Sequence, residues 1–201
     1  MRIIGTILFS IFILFIFSCE IIDHHHAPKT ANEALKELMD GNQRYVDNMP
    51  IHHDFIDEAH HSEKDQHPHT FVLSCIDSRV PPEIVFDQGI GNLFVARVAG
   101  NIEDDNILGS MEYAVQVKGT KLLVVLGHSN CGAVQGAIDN VNLGHLTQLT
   151  NQIKVAFSHH RTYPLPEHLS NEAGRLNVLS TIDHILSSSQ IIRALVNKKK
   201  I

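Results

Sequence analysis

Tryptophan is absent from this 201-residue chain, and aromatic residues make up only 6% of it. Proteins that stack single-stranded bases rely on aromatic platforms, so that class is disfavoured. Positive charge is scarce as well: the formal net charge is −6 at pH 7. That balance disfavours a polyanion partner, and the short basic run Lys198-Lys199-Lys200 does not reverse it. Cysteine is limited to Cys19, Cys75 and Cys131, too few for a disulfide framework. What the chain does have is apolar material, 43% of its residues, which suits one globular domain plus a small appendage.

The appendage is the N-terminus. Arg2 gives a minimal basic start, and residues 3–17 are almost wholly apolar. That run has the length of a secretory signal core and falls short of the roughly 20 residues that span a bilayer. Ile16-Phe17-Ser18-Cys19 resembles a bacterial lipoprotein cleavage box, in which the cysteine becomes the lipidated first residue. The expected division is a lipoprotein-type signal peptide over 1–18, a tether over 19–29 and a catalytic domain over 30–201. An uncleaved anchor helix or a plain signal peptide are the alternatives. The expected location is the periplasm or cell envelope, with Cys19 as a membrane anchor.

Beyond the tether, with its His24-His25-His26 tract, Thr30-Ala31-Asn32-Glu33 has the pattern of a capping box that opens a helix. Residues 47–69 are polar and rich in histidine (52, 53, 60, 61, 67 and 69), which reads as a mobile surface segment. Then the pattern alternates. Apolar runs at 70–75, 92–99 and 121–127 read as buried strands. Helices are predicted after Pro81, over 107–117, and from Cys131 with Asn130 as its cap. A further helix spans 171–187, with Leu176, Leu179, Ile182, Ile185 and Leu186 as its apolar stripe, and a short one follows over 190–197. Strands alternating with helices imply an α/β fold with a mostly parallel central sheet flanked by helices.

Three residues end strands or begin a helix at positions suited to chemistry. Cys75 closes the first apolar run, and Gly127-His128-Ser129-Asn130-Cys131 follows the third. Ligands in parallel α/β sheets gather beyond the carboxyl ends of strands, so Cys75, His128 and Cys131 can converge there. Two thiolates and one imidazole form a three-ligand zinc set with a fourth position open, the hallmark of catalytic rather than structural zinc. A Cys75–Cys131 disulfide is the competing use of these sulfurs, and it leaves Asp77, Arg79 and His128 unexplained. Asp77 can bind the metal or accept a proton from its water, and Arg79 holds such a carboxylate ionised.

These residues resemble the β-class carbonic anhydrases. The matching pieces are Cys75-Ile76-Asp77-Ser78-Arg79-Val80-Pro81, the segment 91–101, Ser110-Met111-Glu112-Tyr113, and Gly127-His128-Ser129-Asn130-Cys131-Gly132-Ala133-Val134. Gly41-Asn42-Gln43-Arg44-Tyr45 resembles the family's N-terminal helix. The resemblance implies one zinc ion per chain on Cys75, His128 and Cys131, with Asp77 and Arg79 as the catalytic dyad. It also implies Asp77 as a fourth ligand in a closed, inactive state. The reaction it implies is reversible hydration of carbon dioxide to bicarbonate and a proton by hydroxide generated at zinc. Hydrolysis of carbon disulfide or carbonyl sulfide on the same scaffold, or a non-catalytic zinc-binding lipoprotein, are the alternatives. A homodimer or dimer-based tetramer is the expected assembly. One departure stands out: the family continues into another strand where this sequence stops at Ile201, so a C-terminal edge strand is expected to be missing.

Overall fold

The computed structural model describes residues 27–157 and 169–201. The proposed signal peptide, Cys19 and the His24–His26 tract lie outside the described residues. Among those described, no helix is long and apolar enough to cross a membrane.

Three parallel strands form the sheet: β1 (Thr70–Ser74), β2 (Leu93–Arg97) and β3 (Leu122–Leu126), in the order β2-β1-β3. Thr70 lies opposite both Leu93 and Leu122, so the three strands start and end level. Every residue of β1 is buried, which explains why it reads as an unbroken apolar run rather than an alternation. Among the described residues β2 and β3 are the two edges, and no strand follows the last helix.

Helices cover both faces. On one face Phe71 and Leu73 pack with Met111, Ala114, Val115, Ile185 and Ile192. These come from α4 (Asp105–Glu112), the π-helical turn Tyr113–Val117 that extends it, α7 (Leu169–Ser188) and α8 (Gln190–Asn197). On the other face Val72 meets Leu38 of α1 (Ala31–Val46) and Phe86, which follows α3 (Pro82–Val85). Gly41 permits this approach: a Cβ there would lie 1.9 Å from the Phe86 carbonyl oxygen. A third cluster sits beyond the carboxyl ends of the strands. It is built from α5 (Gly132–Ile138), α6 (Leu146–Val155) and the N-terminal part of α7, around Cys75 and Cys131.

Several local expectations change. Thr30 caps α1 by accepting the Glu33 N–H, but Glu33 reaches back to the Lys29 N–H instead of completing the box on Thr30. The histidine-rich segment holds a helix, α2 (Phe55–Ser62), capped by Asp54. It is fastened by polar contacts that leave no hydrophobic pattern: Glu58 accepts from the Ile90 N–H at 2.8 Å and bonds His53 at 2.8 Å. Asn130 does not cap α5. It adopts a positive φ of 53°, and Cys131 occupies the cap position itself. The buried stripe of α7 is Ala173, Asn177, Thr181 and Ile185, whereas Leu179 and Ile182 of the expected apolar stripe are exposed. The N-terminal part of this face lies against main-chain turns around Gly100 and His128: Gly174 faces the His128 carbonyl and Asn177 bonds the Gly100 carbonyl.

Candidate metal centre

Each arm of the centre follows from a strand end. Cys75 is the first residue after β1, and His128 is the second after β3. The turn that follows His128 returns Cys131 to the same point. Their ligand atoms all lie within 4.8 Å of one another, and the group includes no other residue among those described. Both cysteines are buried and free.

The donor geometry fits a cation. The two sulfurs are 3.9 Å apart. Two thiolates at about 2.3 Å from a tetrahedral zinc stand roughly 3.8 Å from each other, whereas a disulfide needs about 2.05 Å. The competing use of these cysteines as a disulfide therefore does not occur. His128 points the same way. Its Nδ1 donates to the Ser129 carbonyl at 2.9 Å, which leaves Nε2 with its lone pair. That Nε2 is buried and has no hydrogen-bond partner. An orphaned buried acceptor is costly unless something absent from the chain itself satisfies it.

One of the two sulfurs is primed to lose its proton. The hydrogen bond from Cys131 holds the Cys75 thiol below its usual range against burial, and the Gly100 N–H, 3.4 Å from its Sγ, adds to this. The same contact pushes Cys131 up, so one proton stays between the pair for a cation to displace. Gly100 sits in the tight turn Ala99–Asn101 with φ at 74°, and a Cβ there would come within 2.4 Å of Ile153 Cδ1. Only glycine can bring this amide to the sulfur.

Asp77 and Arg79 line the rim. Arg79 grips the carboxylate with two parallel contacts, Nε to Oδ1 at 2.9 Å and Nη2 to Oδ2 at 2.7 Å, and its backbone N–H adds a third. Held by these hydrogen bonds, the Asp77 carboxyl lies well below the usual carboxylate range. Asp77 Oδ2 is 3.8 Å from His128 Nε2, next to the ligand group but outside it. In this arrangement the carboxylate is on the arginine.

Two residues make polar contacts at this site that have no signature in residue spacing. Arg97, last in β2, donates to the Cys75 carbonyl at 3.0 Å and to the Asp77 carbonyl at 2.5 Å, clamping the segment that carries both. Asn177 of α7 donates to the Gly100 carbonyl at 2.6 Å. Both act on main-chain oxygens, which every residue has.

The histidine-rich segment takes no part in this site on the same chain. His52, His53, His61, His67 and His69 line a cavity of about 460 Å³ beside Asn92 and Asp87, at the amino ends of the strands. The metal-ligand group lies at the carboxyl ends.

A model of the carbonic anhydrase family matches residues 70–201. Carbonic anhydrase 2 of Mycobacterium tuberculosis is 46% identical over 114 residues, which are 56% of this chain and 55% of that protein. The carbonic anhydrase of Mycolicibacterium smegmatis is 45% identical over the same shares. The chain thus spans about half the length of the curated relatives it matches. A tetrameric β-carbonic anhydrase from Sordaria macrospora superposes with a TM-score of 0.63 at 25% identity, over 83% of this chain and 84% of that one. With a matched family model across the sheet and the Cys75–His128–Cys131 group, this chain belongs to the β-class carbonic anhydrases.

Proposed function

We propose that this protein catalyses the reversible hydration of carbon dioxide to bicarbonate and a proton, with zinc held by Cys75, His128 and Cys131. The observation that carries the reading is the buried, unpartnered Nε2 of His128 beside two sulfurs at zinc-spanning distance, with an arginine-locked carboxylate on the rim. Zinc in such a set supplies the Lewis acidity that makes water nucleophilic near neutral pH, carbonic anhydrase being the reference case of this effect. Asp77, kept ionised by Arg79, accepts a hydrogen bond from the reacting water and so turns its free lone pair toward the carbon. Arg79 also holds Asp77 off the ligand position, and Arg97 fixes the backbone between Cys75 and Asp77. Ile102, Val134, Ile153 and Phe157 pack behind the thiols and keep bulk water from them. The proton leaves on the solvent side, where Arg79 is exposed. A metal-storage role would need neither Asp77 nor Arg79.

The test is stopped-flow hydration of carbon dioxide together with elemental analysis. The expected result is one zinc per chain and turnover that Cys75→Ser and His128→Ala both abolish along with the metal. Turnover that survives in chains stripped of zinc would refute the reading.

The same proposal includes a homodimer built on the apolar surface of α1 and α2, and export with lipid on Cys19. The mature N-terminus decides the second point: a diacylated Cys19 peptide by mass spectrometry supports it, and an intact Met1 peptide rules it out.

A further inference from the structure

Helix α7 passes behind the metal-ligand group, and one residue on its buried face does not belong there by hydrophobicity. Asn177 lies between Ala173 and Thr181 on that face and is 2% exposed. Burying a carboxamide is unfavourable unless its hydrogen bonds are made. Its Nδ2 makes a short one, 2.6 Å to the Gly100 carbonyl oxygen. The N–H of that same residue is aimed at Cys75 Sγ, 3.4 Å away. Three groups are therefore in series: the Asn177 carboxamide, the Gly100 residue and the Cys75 sulfur. The turn between them has little freedom, since only glycine fits its positive φ and the space beside Ile153.

One physical effect runs along this series: a donor on the Gly100 carbonyl fixes the orientation of the turn, and with it the direction of the amide that faces the sulfur. An N–H held on a thiolate draws charge from it, which changes how strongly that sulfur donates to a metal. Partners of this outer kind typically change metal affinity by 10- to 100-fold.

We infer that Asn177 is a positioning residue of the metal centre, aiming the Gly100 N–H at Cys75 and so setting the donor strength of that sulfur. The inference rests on reading Cys75, His128 and Cys131 as metal ligands. It concerns the metal's electronic environment, and its test does not depend on turnover.

The experiment loads the full chain with cobalt(II) in place of zinc and follows the sulfur-to-cobalt charge-transfer band and the cobalt affinity. Asn177→Leu keeps the branched outline of the side chain, with somewhat more bulk, and removes the donor. It should move the band to longer wavelength and weaken cobalt binding roughly tenfold. Asn177→Ala, which introduces no bulk, should move the band in the same direction and guards against a misfolded leucine variant. Thr181→Val, on the same buried face, is the structural control; it should leave the band where it is even if it alters the melting temperature. A band and affinity unchanged in both Asn177 variants, or moved equally by Thr181→Val, would overturn the inference while leaving the metal centre intact. A wild-type chain that takes up no cobalt would overturn the metal reading as well.

Discussion

A carboxylate two positions from a thiolate ligand has two natural partners, a cation or an arginine, and Asp77 has taken the arginine. The bidentate contact with Arg79 is a preference of geometry as well as charge, since the planar guanidinium matches both carboxylate oxygens at once. Asp77→Asn removes the negative acceptor and leaves all three ligand atoms in place. It should retain one zinc per chain and lose turnover by about 10²- to 10⁴-fold, the range expected for a group that handles a proton in the transition state. Zinc-to-protein ratio and initial rates on the same sample decide this, and wild-type turnover in the variant would remove Asp77 from the reaction. At this scale much was legible from sequence. Cys75, His128 and Cys131 fall at strand ends, and Asp77 and Arg79 follow within four positions of Cys75. Arg97 and Asn177 were not legible, because each holds a backbone carbonyl from a distant element.

The elements differ in how they reveal themselves. β1, β2 and β3 are apolar runs, and burial on both sides of the sheet imposes that pattern on the sequence. α2 has no buried residue, so no periodicity announces it. Its place is set by charge. Asp87, 4% exposed at its side chain, takes Arg44 of α1 at 2.5 Å and the Ile51 N–H at 3.1 Å. His53 bonds Glu58 of α2 at 2.8 Å and lies beside Asp87, 3.6 Å from its other oxygen. Burial opposes a charge on Asp87, yet Arg44 and the Ile51 N–H outweigh it and hold the carboxyl below its usual range. The folded state therefore keeps this carboxylate to lower pH than the unfolded chain does. Its stabilisation is complete above the unfolded value of about 3.9 and disappears as pH falls through the folded one. Asp87→Ala strips Arg44 of a buried partner and should cost about 3 kcal/mol at neutral pH. Below about pH 4 the gap between the two proteins should narrow, and it should close as pH falls through the lowered folded value, where the wild type loses the same charge. Urea unfolding at pH 7 and pH 3 measures both, and an equal gap at the two pH values would contradict the argument.

The whole molecule shows more apolar surface than a single copy can use. Along α1, Leu35, Met39 and Val46 are exposed, and α2 presents Phe55 and Ile56, the last 72% exposed. Singly, exposed apolar residues need no explanation, but several on one helix are what an interaction surface would present. The sequence forecast an assembly only through family resemblance, since an amphipathic pattern records which positions are apolar and not which neighbour covers them. In α1 the inward residues are Ala34, Leu38 and Gly41, and Gly41 lets the helix lie close to Phe86. Leu35, Met39 and Val46 are turned outward, where the second copy of the proposed dimer would cover them. A C2 contact buries the same patch twice, so one charge introduced in it is felt on both sides of the axis. Met39→Glu should leave the sheet and the ligand group folded and shift the protein from twice the chain mass toward a single chain. Light scattering across a dilution series gives the masses, and the far-ultraviolet circular dichroism of the variant should match that of the wild type. A wild-type protein that stays at one chain mass at tens of micromolar would mean that this surface serves another partner, and the dimer would have to be abandoned.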